Sequence, residues 1–80
     1  MNVELKALLT CWRDGSESLP GITEVFLAAL GIHGEAGFQC ELGFGNGDTK
    51  SFQSDTLHGA IHRAFEWTVF TYGPVKSTNS

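Results

Sequence analysis

Clustered positive charge is the first thing the chain lacks. Its only cations besides histidine are Lys6, Arg13, Lys50, Arg63 and Lys76, spread from one end to the other. Gripping a phosphate backbone takes several cations on one surface, so direct nucleic-acid binding is not expected. Long apolar runs are missing too. Glu4 and Lys6 interrupt the first apolar stretch, and nothing later approaches the ~20 residues that cross a bilayer. Neither a leader nor a membrane partner is expected, which makes the cytoplasm the expected compartment. Cysteine is scarce. Cys11 and Cys40 both fall on apolar sides of their segments, and in a reducing compartment they read as buried thiols rather than a bridge. There are no internal repeats.

Eighty residues suffice for one domain. A chain of this length buries only about 60–65% of its unfolded surface, leaving little room for both a core and a deep dry cleft. Six Phe, two Trp and one Tyr supply large units for that core, and 18% charged residues is too few for disorder to be the default. The net charge of −4 suits solubility and a basic protein partner. We expect one domain over residues 1–72 and a frayed tail over 73–80.

Along the chain, Leu5, Leu8, Leu9 and Trp12 share one side of a helical wheel, which predicts a helix over 3–13 with Asn2 as its cap. Ile22, Val25, Phe26, Ala29 and Leu30 also follow helical spacing, behind Pro20 and ahead of Gly31, which predicts a short second helix over 20–30. Phe38, Cys40, Leu42 and Phe44 then alternate with Gln39, Glu41 and Gly43, the period of a half-buried strand. Gly45-Asn46-Gly47-Asp48 carries a hairpin turn, and Thr49 to Gln53 returns as an edge strand. The last helix is predicted over 55–70. Ser54 or Asp55 caps it, Leu57, Ala60, Ile61, Ala64 and Trp67 form its apolar stripe, and His58, Gly59, His62, Arg63 and Glu66 lie opposite. The fold class is α+β, in the order helix, helix, β-hairpin, helix, with a small antiparallel sheet packed against the helices. A lone hairpin is marginal, so either residues 22–30 supply a third strand or the hairpin pairs with another copy of the chain.

Candidate chemistry is thin. His58, His62 and Glu66 at i, i+4 and i+8 could offer three ligands to zinc, but the usual paired cysteines are missing, and the ridge reads instead as a solvated face. The glycines at 43, 45 and 47 lie between two strands rather than before a helix, so they do not cradle phosphate. Asp48 alone makes no calcium loop. Thiol catalysis would need Cys11 or Cys40 beside one of the histidines; both thiols are expected on core-facing positions, and nothing places His33, in its loop, near either. No cofactor, no metal and no catalytic residue is assigned. Acidic residues cluster locally at Asp14/Glu17 and Asp48/Asp55. Phe70 falls about 220° from Leu57 on an ideal wheel. Either the helix breaks near Thr68 and all rings pack, or some rings of the Trp67–Tyr72 stretch are exposed and mark a binding surface.

The hairpin followed by Ser54-Asp55-Thr56-Leu57 and Ala60-Ile61-His62-Arg63-Ala64-Phe65-Glu66-Trp67 resembles the end of many small proteins encoded by phages and mobile elements. Anti-CRISPR inhibitors are one class among these. The resemblance covers residues 37–67, matches no family's functional residues position by position, and implies a compact acidic inhibitor that occupies a surface of a larger host protein or ribonucleoprotein complex. The residues expected to face such a partner are Asp14, Glu17, Asp48, Asp55, His58, His62, Glu66, Phe70 and Tyr72. A metal- or thiol-dependent small enzyme or sensor, and a self-associating assembly protein, are the alternatives.

Overall fold

A computed structural model describes residues 2–14, 19–31 and 37–73 of the chain. Five elements follow in order: α1 (Val3–Thr10), β1 (Ile22–Leu30), β2 (Gly37–Phe44), β3 (Thr49–Ser54) and α2 (Leu57–Tyr72). The class is α+β. Asn2 opens α1 as expected, its Oδ1 accepting from the Leu5 N–H at 3.0 Å. The helix stops three residues short of the expected Arg13. Cys11 is its C-cap, and Trp12 turns back into the core.

The expected second helix is a strand. β1 pairs antiparallel with β2, which pairs antiparallel with β3, giving the order β1-β2-β3 with β2 in the centre. The reason lies in one irregularity of register between Ile22, opposite Phe44, and Glu24, opposite Gly43. Thr23 is the extra residue, and its hydroxyl donates to the Gly43 carbonyl at 3.2 Å. Past such a bulge the faces change parity, so Ile22 and Val25 lie on the same side, three residues apart. That spacing imitates a helix.

The rest of the hairpin matches its sequence pattern. Phe38, Cys40, Leu42 and Phe44 turn one face of β2 inward, and Phe52 sits beside Cys40 on β3. The loop closes through Gly47 N–H on the Phe44 carbonyl at 3.0 Å and Phe44 N–H on the Asp48 carbonyl at 2.9 Å. Gly47 takes φ +92°, a conformation side-chain-bearing residues rarely hold, and Asn46 braces the turn through its contacts with Asp48.

α2 lies across β2 and β3, with α1 beside it over the first part of β1. Ala60, Ile61, Ala64 and Thr68 are its buried residues. Thr68 avoids an unpaired hydroxyl by donating to the Ala64 carbonyl at 2.7 Å. Leu57, expected on this stripe, is 36% exposed at the helix start, and the cap is Thr56 rather than Ser54 or Asp55. The helix does not break near Thr68. It runs to Tyr72 and ends on Gly73, whose N–H donates to Val69 and whose φ is +98°. Residues 74–80, most of the expected tail, lie outside the described residues.

One glycine fixes how closely the helix meets the sheet. A Cβ added at Gly59 would overlap Ser54 Oγ and lie 2.9 Å from both Ser54 Cβ and the Thr56 Oγ1 that caps the helix. Helix propensity alone would reward Gly59→Ala by about 1 kcal/mol. Here the overlap and the disturbed cap win, and we expect Gly59→Ala to lower unfolding stability by about 1–2 kcal/mol, read from urea denaturation midpoints. A more stable variant would contradict the close approach.

Candidate functional site

The i, i+4 ridge of α2 is intact in three dimensions and meets the start of α1. Asn2 uses both ends of its amide: Oδ1 caps α1, and the Nδ2 group donates to His58 Nδ1 at 2.7 Å. One turn on, His62 stands between two carboxylates. Its Nδ1 lies 2.6 Å from Glu4 Oε2 and its Nε2 3.1 Å from Glu66 Oε1. Only an imidazolium can donate to both. The hydrogen bond that the ring makes to Glu4, and then the charge of Glu4, push the His62 pKa up; desolvation opposes them, and the charge of Glu66 adds a lesser upward push.

Two turns past His62, Phe70 is 90% exposed. His62, Phe65, Glu66, Val69 and Phe70 line a shallow depression of about 380 Å3. Phe65 and Val69 lean on the core while remaining partly accessible. The result is an apolar patch with a charged border. Four of the nine expected partner residues, His58, His62, Glu66 and Phe70, are brought together here. Glu4 and Asn2 complete the border and were missed, because nothing in the sequence shows which helix α1 lies beside.

Tyr72 and Asp48 belong to a different place. Two residues beyond Phe70, the helix has turned about 200°. The Tyr72 ring meets Trp67 edge-on at 6.1 Å, and its hydroxyl donates to the Pro20 carbonyl at 2.5 Å. Burial raises the Tyr72 pKa. Phe44 and Phe52 complete the aromatic cluster around Trp67, and Lys50 Nζ lies 5.4 Å from the Trp67 ring centre and 5.7 Å from that of Phe52. A cation over aromatic faces is held by the ring quadrupoles, which explains a lysine on the core-facing side of an edge strand. Asp48 and Tyr72 border the open cleft beside this cluster. The break-or-exposure choice thus resolves into a mixture: Trp67 and Tyr72 pack, and Phe70 does not.

Asp14 and Asp55 are exposed, and their side chains make no hydrogen bond or ion pair among the described residues; Glu17 lies outside those residues, as does His33. Cys11 and Cys40 are free thiols. Cys40 is fully buried under the helices, and burial pushes its pKa up to about 11, the opposite of an activated nucleophile. Among the described residues no three His, Cys, Asp or Glu side chains are grouped to hold a metal ion. No helix of the described residues is long and apolar enough to cross a membrane. Comparison with family models, curated proteins and solved structures finds no match.

The Glu4–His62–Glu66 arrangement makes stability depend on pH in a defined direction. A histidine whose folded pKa is raised adds stability that is fully present below its unfolded value near 6.5, and that stability fades as pH rises through the folded value. The melting-temperature gap between wild type and His62→Ala should therefore be larger near about pH 6 than near about pH 9. A gap independent of pH would mean that the ring is held by packing alone.

Proposed function

We propose that this protein is a small non-enzymatic binding module that acts inside a host cell by covering a surface of a larger protein or ribonucleoprotein complex. The observation that carries the reading is the isolation of Phe70. A ring left 90% in solvent on a rigid helix, beside Phe65 and Val69 and bordered by Glu4, His62 and Glu66, has the anatomy of an interface centre with a polar rim. Folding gains almost nothing from a ring exposed to this degree. A partner that desolvates it would gain about 1.5–3 kcal/mol. The acidic rim and the net charge of −4 favour a partner surface with basic groups around an apolar socket.

The mode of action belongs to the same proposal. The resemblance of residues 37–67 to small phage and mobile-element proteins supports occlusion in the manner of anti-CRISPR inhibitors. A buried, high-pKa Cys40 and a His62 engaged on both nitrogens speak for binding over thiol or metal chemistry.

The test compares wild type with Phe70→Glu. Both should show the same circular dichroism and melt within about 0.5 kcal/mol of each other, as surface substitutions do. From a bacterial host extract, wild type should retain a macromolecular partner that Phe70→Glu does not. Reconstituted from purified components, the complex should be at least about tenfold weaker for the variant, a difference of about 1.4 kcal/mol. Equal retention by both, or none by either, would remove the α2 face from consideration.

A further inference from the structure

The two edges of the sheet are built differently. β3 is six residues long, mostly polar, and carries Lys50, all features that keep an edge strand from pairing with another chain. β1 is nine residues long, and beyond Glu24 it reads Val-Phe-Leu-Ala-Ala-Leu, with no charge and no proline. Phe26 and Leu27 point to opposite faces, yet they are 51% and 40% exposed. Ala28 and Ala29 are exposed as well. The far end of β1 is therefore left largely open on both faces among the described residues.

The solvent face of the sheet sharpens the contrast. Over β2 and β3 it shows Gln39, Glu41, Thr49, Ser51 and Gln53, with Ser51 donating to Glu41 at 3.1 Å. Over β1 it shows Phe26, Ala28 and Leu30. Apolar residues on this face are thus concentrated on the strand at the edge. Among the described residues, the outer backbone of β1 is engaged only at its start, where Ile22 N–H donates to the Trp12 carbonyl at 3.0 Å. Among the described residues, nothing beyond β2 pairs with Glu24 to Leu30.

The geometry points to β1 as a homodimerisation edge, on which two copies of the chain pair antiparallel and join their sheets into one of six strands. A second copy is the occupant because the segment is complementary to itself. In a twofold arrangement about an axis perpendicular to the sheet, residues facing each other must share a face, so their numbers differ by an even count. Centred on Leu27, this sets Phe26 against Ala28, Val25 against Ala29 and Glu24 against Leu30 of the other copy. Phe26 and Val25 each meet an alanine around a central leucine pair, and Glu24 meets an uncharged leucine. No two charges face each other, which matters for a chain of net charge −4. The helices of both copies fall on one face of the joined sheet. An edge of this length buries on the order of 1,000 Å2 in total, the low end for a specific contact, so dissociation in the micromolar range is expected.

Sedimentation of the full chain from about 1 µM to about 1 mM reads the proposal directly, since that range brackets micromolar dissociation. Wild type should pass from monomer to dimer, and amide exchange within Glu24–Leu30 should slow as it does. Ala28→Lys places a charge on the open edge at an exposed position. It should weaken dimerisation at least about tenfold while leaving the dilute-solution melting temperature and circular dichroism unchanged. A monomer at every concentration overturns the proposal. So does a dimer that Ala28→Lys leaves intact, and so does one that Phe70→Glu abolishes instead, since that result assigns the contact to α2. The outcome is independent of whether a host partner binds Phe70.

Discussion

Packing of the buried stripe of α2 against the inward face of β2 and β3 sets most of what the molecule can be. Ala60 and Ala64 present little bulk on either side of the larger Ile61, all three share one core with Cys40, Leu42 and Phe44, and Gly59 lets the first turn come against Ser54. Larger rings then pack at the sides of this seam: Trp12 against Phe65 at 5.7 Å on one flank, and Trp67 against Phe44 at 5.8 Å on the other. With α2 placed by that seam, its opposite face is committed to solvent. His58, His62, Glu66 and Phe70 are exposed because Ala60, Ala64 and Thr68 are buried.

The same logic shows why the sequence could be read in some places and misread in others. β2 is central and half-buried, so its alternation from Phe38 to Phe44 survives undistorted, and the hairpin and last helix are legible from periodicity. β1 violates both conditions. The bulge at Thr23 turns the strict period of two into a three-residue step from Ile22 to Val25, and the uncovered far end removes any need for polar residues between apolar ones. Ile22, Val25, Phe26, Ala29 and Leu30 then fit a helical wheel without forming a helix. What decides the matter is β2. Its second edge would otherwise go unpaired, and unpaired backbone groups at the centre of a small core are costly.

The candidate site was legible to the extent that it lies on one helix. Residues four apart on α2 had to share a face, and they do. Tyr72 was grouped with Phe70 because the wheel shows where a side chain points, not which neighbour waits there; Pro20, arriving from before β1, supplies that neighbour. Glu4 could not be foreseen for the same reason. Its pairing with His62 spans 58 residues of sequence and depends on α1 settling beside α2. Lys50, on the same face of β3 as Phe52, is accommodated by the rings of Phe52 and Trp67.

The two surfaces left open among the described residues do not compete for the same part of the fold. α2 rests over β2 and β3, whereas β1 borders the sheet on the far side of β2. Pairing through β1 would extend the sheet away from α2 and leave Phe70 as exposed as before, now twice and on one side of a continuous sheet. Two weak apolar contacts held in fixed relation reach an avidity that neither has alone, provided the partner repeats its binding surface at a matching separation. That condition suits a partner with repeated subunits better than a single-copy target. It also offers a reason for retaining a long apolar edge on so small a protein. Left unpaired, such an edge is an aggregation hazard; paired, it would present the exposed face of α2 twice.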